Sequence, residues 1–226
     1  MKRGQAQRGG RAGRPASALA LAVLLATPVE AARSARGDDR VVLRDLDAAS
    51  VSLNGGHCAG VLAERPQIIL TAGHCVRGIG EKVQVRFTSG LMRTATVAGV
   101  DHGADQAMLV LLSPVGASPL RVRRDAPERG IGLFFEGNPA RPRPQKARLT
   151  RIGRCPSLPA VPDALFTTID GKPGDSGAPV ADSAGEVVGL VHGGARCHIA
   201  TPGGSLLRLI ARTSRDRALW GSRLGG

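Results

Sequence analysis

The sequence predicts an all-β protein built from antiparallel barrels or a sandwich. Short apolar runs recur along the chain, and several alternate with polar residues or are rich in Val, Ile and Thr, as strands are. Gly, Pro and Asp separate these runs, and no helical pattern lies between them. Many short strands without intervening helices are typical of these two architectures. We expect strands at 50–53, 60–63, 68–71, 82–87, 95–100, 107–112, 146–152, 165–169, 178–181 and 186–192.

Two other segments complete the predicted layout. The turn-rich stretch 113–130 is the expected bridge between two halves of the chain. Leucine and isoleucine recur with rough helical spacing after residue 205, which predicts a C-terminal helix over about 205–220, packed on the β structure.

The N-terminus has the composition of a secretory signal peptide. Five basic residues precede an apolar run at 16–26, and small residues follow around 29–31. We expect residues 1–31 to be removed after Ala31. The apolar run is too short for a permanent membrane helix, so we expect a protein without a transmembrane anchor, secreted to the extracellular space or the periplasm.

Charge and cysteine content describe the exported chain further. The formal net charge of +13 falls to +9 when the five basic residues and one acidic residue of 1–31 are removed. This surplus favours electrostatic contact with anionic cell-surface polymers. The chain has no tyrosine and no RNA-binding signature, so we expect no nucleic-acid partner. About 195 residues fit one domain, or one domain with two subdomains, and we expect a monomer.

Four cysteines in an exported chain predict two disulfides, and the count alone leaves three possible pairings. Neighbouring residues on a strand point to opposite faces, so adjacent His and Cys rarely bind one ion. We therefore expect no metal and no cofactor. The adjacent pairs in question are His57-Cys58, His74-Cys75 and Cys197-His198.

The strongest local signal for chemistry is the segment Gly174-Asp175-Ser176-Gly177. Glycines on both sides of a serine permit a tight turn with an exposed hydroxyl and converging backbone N–H groups. Acyl transfer needs both features, together with a base that takes the hydroxyl proton. A surface turn is the simpler interpretation of this tetrapeptide by itself.

Two further signals supply a base and an acid. His74 lies in Thr71-Ala72-Gly73-His74-Cys75 at the end of an apolar strand, and Asp105 precedes the apolar run 107–112. Taken singly, the histidine could be structural and the aspartate a turn former. Asp101 is a competing acid four residues earlier.

Together the three motifs resemble the chymotrypsin/trypsin family of serine proteases, in which His, Asp and Ser occur in this order. The resemblance extends over about 41–204, and the strand directly after Asp105 matches the family better than the surroundings of Asp101. It also includes Cys58-Ala59-Gly60-Val61-Leu62, Val188-Gly189-Leu190-Val191-His192-Gly193-Gly194 and Thr201-Pro202-Gly203-Gly204. It implies two antiparallel Greek-key β-barrels with a short C-terminal helix. The implied peptidase domain is 41–226, with barrels at about 41–115 and 128–204.

The resemblance also implies what each residue does. Ser176 is the expected nucleophile, His74 the base and Asp105 the acid that orients it, with the N–H groups of Gly174 and Ser176 as the oxyanion hole. The expected activity is hydrolysis of polypeptides by a secreted serine endopeptidase. A Cys58–Cys75 disulfide beside the histidine is implied, which leaves Cys155 with Cys197.

Substrate preference stays open at this stage. The position of Asp170, six residues before Ser176, implies a basic substrate residue, although Lys172 could neutralise it. His192, next to Gly193 and Gly194 in the strand expected to hold the substrate backbone, resembles the histidine of glutamate-specific relatives and implies an acidic one.

Activation and rival functions also remain open. Arg40-Val41-Val42 resembles the family's activation cleavage site, whose new amino terminus would pair with Asp175, but the two glycines that usually follow are missing. Residues 32–40 are then either a propeptide or a flexible spacer. The rivals are a catalytically silent binding or regulatory protein on the same fold and a secreted esterase. The strand-to-helix serine elbow typical of such esterases is absent from the sequence.

Overall fold

The fold is all-β, with two six-stranded antiparallel barrels, which confirms the predicted class. It was obtained as a computed structural model, and it describes residues 39–192 and 199–223. The predicted domain boundaries at 41, 115, 128 and 204 stay predictions.

The first barrel closes on itself around a single apolar core. Its strands lie in the order β1-β2-β3-β6-β5-β4, and β4 pairs back with β1 through Val51 opposite Phe87. The strands are β1 (Ser50–Leu53), β2 (Cys58–Leu62), β3 (Ile68–Thr71), β4 (Lys82–Phe87), β5 (Met92–Asp101) and β6 (Gln106–Leu111).

The second barrel is a ring in the order β10-β11-β12-β9-β8-β7. Two residue pairs between β10 and β7 close it, Val180 opposite Phe135 and Ala181 opposite Phe134. The strands are β7 (Gly132–Phe135), β8 (Gln145–Gly153), β9 (Ala164–Thr167), β10 (Pro179–Ala181), β11 (Val187–Val191) and β12 (Ile199–Pro202).

Side-chain alternation explains why β4 was predictable. Its residues alternate between exposed and buried along the whole strand, and Val83, Val85 and Phe87 enter the first core. Burying one face of a strand in this way requires a period of two residues. Because this period is visible in the residues themselves, β4 was predicted with the bounds that the structure has.

Three elements were missed by the sequence analysis. Helix α1 (Asp39–Ala49) precedes the first barrel and buries Val42 and Leu46 against Phe134 of the second. Strands β7 and β12 were also not predicted, because each has only four residues and contains Gly or Pro. Such runs are too short to show a period, and their pairing partners lie far away in sequence.

A helix at the C-terminus was predicted, and α2 (Gly203–Arg223) starts two residues earlier than expected and continues to Arg223. Its residues Leu206 and Leu209 are buried in the core of the first barrel. The last strand of the second barrel leads directly into this helix, so α2 ties the two barrels together. Within the described ranges, no helix is both long enough and apolar enough to cross a membrane.

The predicted Cys58–Cys75 disulfide is confirmed, with 17 residues of separation. It links the start of β2 to the short 3₁₀ helix Gly73–Cys75 that follows β3. Cys155 is disulfide-bonded as well. Its expected partner, Cys197, lies outside the described residues.

Candidate active site

The residues singled out by sequence lie where the two barrels meet. His74 and Asp105 belong to the first barrel, whereas Ser176 and His192 belong to the second. The N–H of Ala59 donates to the carbonyl oxygen of Ser176 at 2.8 Å, so the backbones of the two barrels are joined directly at the serine.

His74 occupies the 3₁₀ helix directly after β3, and Asp105 lies at the turn that opens β6. β3 and β6 are paired neighbours, with Thr71 at the end of β3 opposite Ala107 near the start of β6. This pairing brings His74, which follows β3, next to Asp105, which precedes β6. Nδ1 of His74 lies 2.9 Å from both carboxylate oxygens of Asp105. The backbone N–H of His74 also donates to Asp105 Oδ1 at 2.8 Å.

Asp105 is a buried carboxylate with only 5% of its surface exposed. Burial by itself would raise its pKa, but hydrogen bonds from His192 and His74 outweigh this effect and hold the pKa of Asp105 well below its usual range. The group is therefore ionised at neutral pH. Its backbone φ of +48° lies in the left-handed region, which aspartate tolerates better than most residues.

The hydrogen bonds assign the tautomer of His74. Because Nδ1 faces two carboxylate oxygens, Nδ1 carries the proton and Nε2 keeps the lone pair. The hydrogen bond to Asp105 raises the pKa of His74, partly opposed by burial and helped by the negative charge of Asp105. Its side chain is 48% exposed.

Ser176 sits in a turn that two glycines make possible. Gly174 and Gly177 have φ angles of +99° and +84°, which residues other than glycine rarely adopt. Within the described part of the chain, neither the N–H of Gly174 nor that of Ser176 has a hydrogen-bond acceptor, although both neighbouring N–H groups, those of Asp175 and Gly177, do. Two unused donors beside a serine hydroxyl are what a developing oxyanion requires.

The hydroxyl of Ser176 contacts the backbone of His192 in this structure. Its Oγ donates to the carbonyl oxygen of His192 at 3.4 Å, a long and weak hydrogen bond. Across residues 39–192 and 199–223, no hydrogen bond joins Ser176 to His74. Such contacts are often long or poorly aligned in the absence of substrate.

Asn138 and Arg143 hold the serine turn in place, and the sequence analysis missed both. The amide Nδ2 of Asn138 donates to the carbonyl oxygens of Gly56, Cys58 and Gly174 at 2.7–3.0 Å. Arg143 forms an ion pair with Asp175, the residue before Ser176. No motif marks either residue, because every one of these contacts joins positions more than 30 residues apart.

The buried carboxylate of Asp175 therefore has a complete set of partners. Besides the ion pair with Arg143, it accepts hydrogen bonds from the backbone N–H groups of Asn138 at 2.9 Å and Lys172 at 2.7 Å. The Arg40–Val41 bond, considered above as an activation site, lies inside helix α1.

His192 was expected in the wall of a specificity pocket, which stays a prediction, and in this structure its side chain contacts Asp105. Its Nδ1 forms a hydrogen bond with Asp105 Oδ2, the oxygen that also contacts His74. The imidazole rings of His74 and His192 meet edge to face, with centroids 5.9 Å apart. Gly193 and Gly194, the other two expected substrate-binding residues, lie outside the described residues.

Asp170 does not have the surroundings of a buried pocket acid. Its side chain is 65% exposed, and its carboxylate is paired with Lys172 Nζ at 2.7 Å. Asp101, the competing acid, is paired with Arg212 at 2.9 Å. The lysine that the sequence suggested as a neutralising partner of Asp170 is therefore in contact with it.

The side chains around Asp105 include ligand types that transition metals bind. His74, Asp105 and His192 have suitable ligand types, with donor atoms within 4.8 Å of one another. Both Nδ1 atoms already donate to the carboxylate, and an ion would have to displace these protons. The sulfurs of Cys58 and Cys75 are joined in a disulfide, which removes their thiolates as ligands.

Two six-stranded barrels with His, Asp and Ser at their junction define the class of chymotrypsin-like proteins. A sequence profile described as Trypsin-like peptidase domain matches residues 58–190, from the start of β2 to within β11. The chain belongs to this trypsin-like peptidase domain family. Membership suggests a hydrolase of the protease type, acting on polypeptides. No curated protein is similar enough to the chain to count as a relative.

The geometry of the serine turn generates a prediction about Gly177. An added Cβ there would lie 2.3 Å from Ala59 O and from Thr71 Oγ1, in addition to the strain of its positive φ. Gly185 has a similar φ of +76°, but open space surrounds it. We expect Gly185→Ala to lower the free energy of unfolding by about 1 kcal/mol, and Gly177→Ala to lower it by about 3 kcal/mol or more. Urea unfolding of both variants measures the difference, and equal losses would contradict the described packing.

Proposed function

We propose that the protein is a secreted serine endopeptidase with His74, Asp105 and Ser176 as its catalytic triad. The observation that carries this proposal is the hydrogen bond between His74 Nδ1 and the buried carboxylate of Asp105, opposite a serine turn with two unused N–H donors. Such an arrangement supplies a base of the correct tautomer, a nucleophile and an oxyanion site together.

The chemistry follows from this arrangement. The Ser176 hydroxyl turns toward His74 and attacks the carbonyl carbon of the scissile bond while Nε2 takes its proton. Asp105 stabilises the imidazolium that forms, and the N–H groups of Gly174 and Ser176 stabilise the oxyanion. His74 then protonates the leaving amine, and the acyl group stays on Ser176. Water, deprotonated by His74, hydrolyses this ester and restores the serine.

The rival functions account for fewer of the observations. A catalytically inactive binding protein would have no need for a buried carboxylate that orients a half-exposed histidine. It would also have no need for two unused N–H donors beside a serine. An esterase could use the same groups, so the substrate must be tested directly. Export is a further part of the proposal, and its support is the signal-peptide pattern in residues 1–31, which lie outside the described residues.

The direct test of the function uses the purified protein and one variant. We expect a fluorophosphonate probe to label the protein and the protein to hydrolyse casein. Ser176→Ala should abolish labelling and lower turnover by several orders of magnitude, because the nucleophile is lost. Ser183→Ala, an exposed serine in a turn, is the matched control and should leave both unchanged. Labelling that persists in Ser176→Ala, or ester hydrolysis without proteolysis, would contradict the proposal.

The raised pKa of His74 predicts the pH dependence of the activity. The base must be neutral, so kcat/KM falls as the pH decreases through the pKa of His74. Because the hydrogen bond to Asp105 raises this pKa from 6.5, the midpoint of the acid limb should lie above 6.5. A pH series with one chromogenic peptide measures it, and a midpoint below 6.5 would show that Asp105 does not stabilise the charged imidazole.

We also propose that activity does not require cleavage at Arg40–Val41. Arg143 already neutralises Asp175, and this is the role that a new amino terminus would otherwise have. Removing one partner of a buried ion pair leaves an uncompensated charge, which is strongly unfavourable. The turn that contains Ser176 should therefore depend on Arg143 and not on a free terminus.

Two variants separate these possibilities. Arg143→Met should lower kcat/KM by roughly tenfold or more, whereas Arg129→Met, an exposed arginine on the same barrel, should have little effect. Arg40→Gln, which removes the potential cleavage site, should be as active as the parent protein. Activity that appears only after cleavage at Arg40–Val41, checked by mass spectrometry, would contradict the proposal.

A further inference from the structure

We propose that a basic cleft beside α2 binds an acidic segment of a polypeptide, at a site that contains none of the proposed catalytic residues. Carboxylates of the segment pair with Arg208 and Arg215, and its backbone N–H groups meet the acceptor of Gln106. The inference goes beyond the proposed function and does not depend on it, because binding in this cleft requires no hydrolysis.

The cleft lies between α2 and the end of β5, and its volume is about 360 Å³. The first barrel contributes Asp101, Ala104 and Gln106 to its lining, and the loop before β9 contributes Ala160. The remaining lining residues belong to one side of α2 and are Ser205, Arg208, Ala211, Arg212 and Arg215.

Three arginines of α2 make the cleft basic. Arg208, Arg212 and Arg215 are separated by four and three residues, a spacing that places side chains on one face of a helix. Arg212 is paired with Asp101 at 2.9 Å. Among the described residues, no ion pair involves Arg208 or Arg215. Guanidinium groups bind carboxylates through paired N–H···O hydrogen bonds, so these two arginines suit a ligand with carboxylates.

Gln106 adds a hydrogen-bond acceptor at a buried position of the cleft. Only 1% of this residue is exposed, although it belongs to the lining. Its Nε2 donates to the carbonyl oxygen of Ser205 at 3.4 Å, and across the described ranges its Oε1 has no hydrogen-bond partner. Buried polar atoms are nearly always hydrogen-bonded, so this acceptor favours a ligand that brings a donor.

These two requirements select the class of ligand. The arginines require an anion, whereas Oε1 of Gln106 requires an N–H or O–H donor. A peptide that contains Asp or Glu supplies both, because each such residue has a carboxylate and a backbone N–H a few bonds apart. A polymer of carboxylates supplies only the anion, and a water molecule supplies only the donor.

The first test measures binding of a fluorescein-labelled pentaglutamate amide by fluorescence anisotropy. The full chain is used with Ser176→Ala, so that the probe stays intact. We expect Arg208→Gln and Arg215→Gln each to raise Kd by about tenfold, because each removes a hydrogen bond to a charged group.

Arg86→Gln is the matched control for these two variants. It removes the same charge from an exposed arginine that lies opposite Met92, at the other end of β5 from Asp101. Screening by salt should limit its effect on Kd to less than about twofold. Equal effects of the three substitutions would show a non-specific attraction and would overturn the inference, as would the absence of measurable binding.

A variant with the opposite expected effect excludes loss of the fold as an explanation. Asp101→Asn keeps Oδ1, which accepts the N–H of Ala104 at 3.0 Å, and removes the charge that holds Arg212. We expect Kd to fall by about fivefold, because Arg212 becomes available to the ligand. Asp45→Asn removes the same charge from the exposed ion pair with Arg44 and should change Kd by less than about twofold. An unchanged or higher Kd for Asp101→Asn would contradict the assignment of the cleft.

The requirement for a donor is tested on the ligand. An oligoacrylate with the same number of carboxylates as pentaglutamate has no N–H groups. We expect it to displace the labelled peptide about tenfold more weakly than unlabelled pentaglutamate does. Equal displacement by the oligoacrylate, or displacement by inorganic phosphate at the same concentration, would show that charge alone is recognised and would overturn the assignment of a peptide.

Discussion

The buried carboxylate of Asp105 is the group on which the rest of the site depends. An ionised carboxylate that is removed from water is stable only if hydrogen-bond donors replace its hydration shell. Here the donors are the backbone and ring of His74 from one barrel and the ring of His192 from the other. Satisfying this one charge therefore requires the two barrels to pack in a particular relative position, and it orients His74 at the same time.

A second buried carboxylate, that of Asp175, holds the turn that contains Ser176. It accepts two backbone N–H groups and an ion pair with Arg143, all from the second barrel. The amide of Asn138 extends this network to carbonyl oxygens of Gly56 and Cys58 in the first barrel. The serine turn is thus held by charge-assisted hydrogen bonds to Asp175 within the second barrel, and by neutral hydrogen bonds from Asn138 to the first barrel.

The hydrogen bonds of the site are unevenly distributed between the two aspartates and the serine. Among the described residues, Asp105 and Asp175 each accept several hydrogen bonds, whereas the hydroxyl of Ser176 makes one long hydrogen bond, to the carbonyl oxygen of His192. Hydrogen bonds therefore fix the two aspartates more firmly than the serine hydroxyl. The charges of Asp170 and Lys172 compensate each other at the surface.

The sequence by itself determined the all-β class and the family, because both depend on local patterns: the two-residue period of β4, and short motifs around His74 and Ser176. The Cys58–Cys75 pairing was implied by the resemblance to that family, since the cysteine count left three pairings open. Only the tertiary structure decided that His192 contacts Asp105 and that Arg143 neutralises Asp175. These partners are 87 and 32 residues apart in the chain, and no local period or motif records such a pairing. The long separation along the chain also explains why the sequence did not predict the contact between His192 and Asp105. Its neighbours along the chain suggested a pocket wall, whereas its contact with Asp105 depends on a residue of the opposite barrel, which the sequence around residue 192 does not contain.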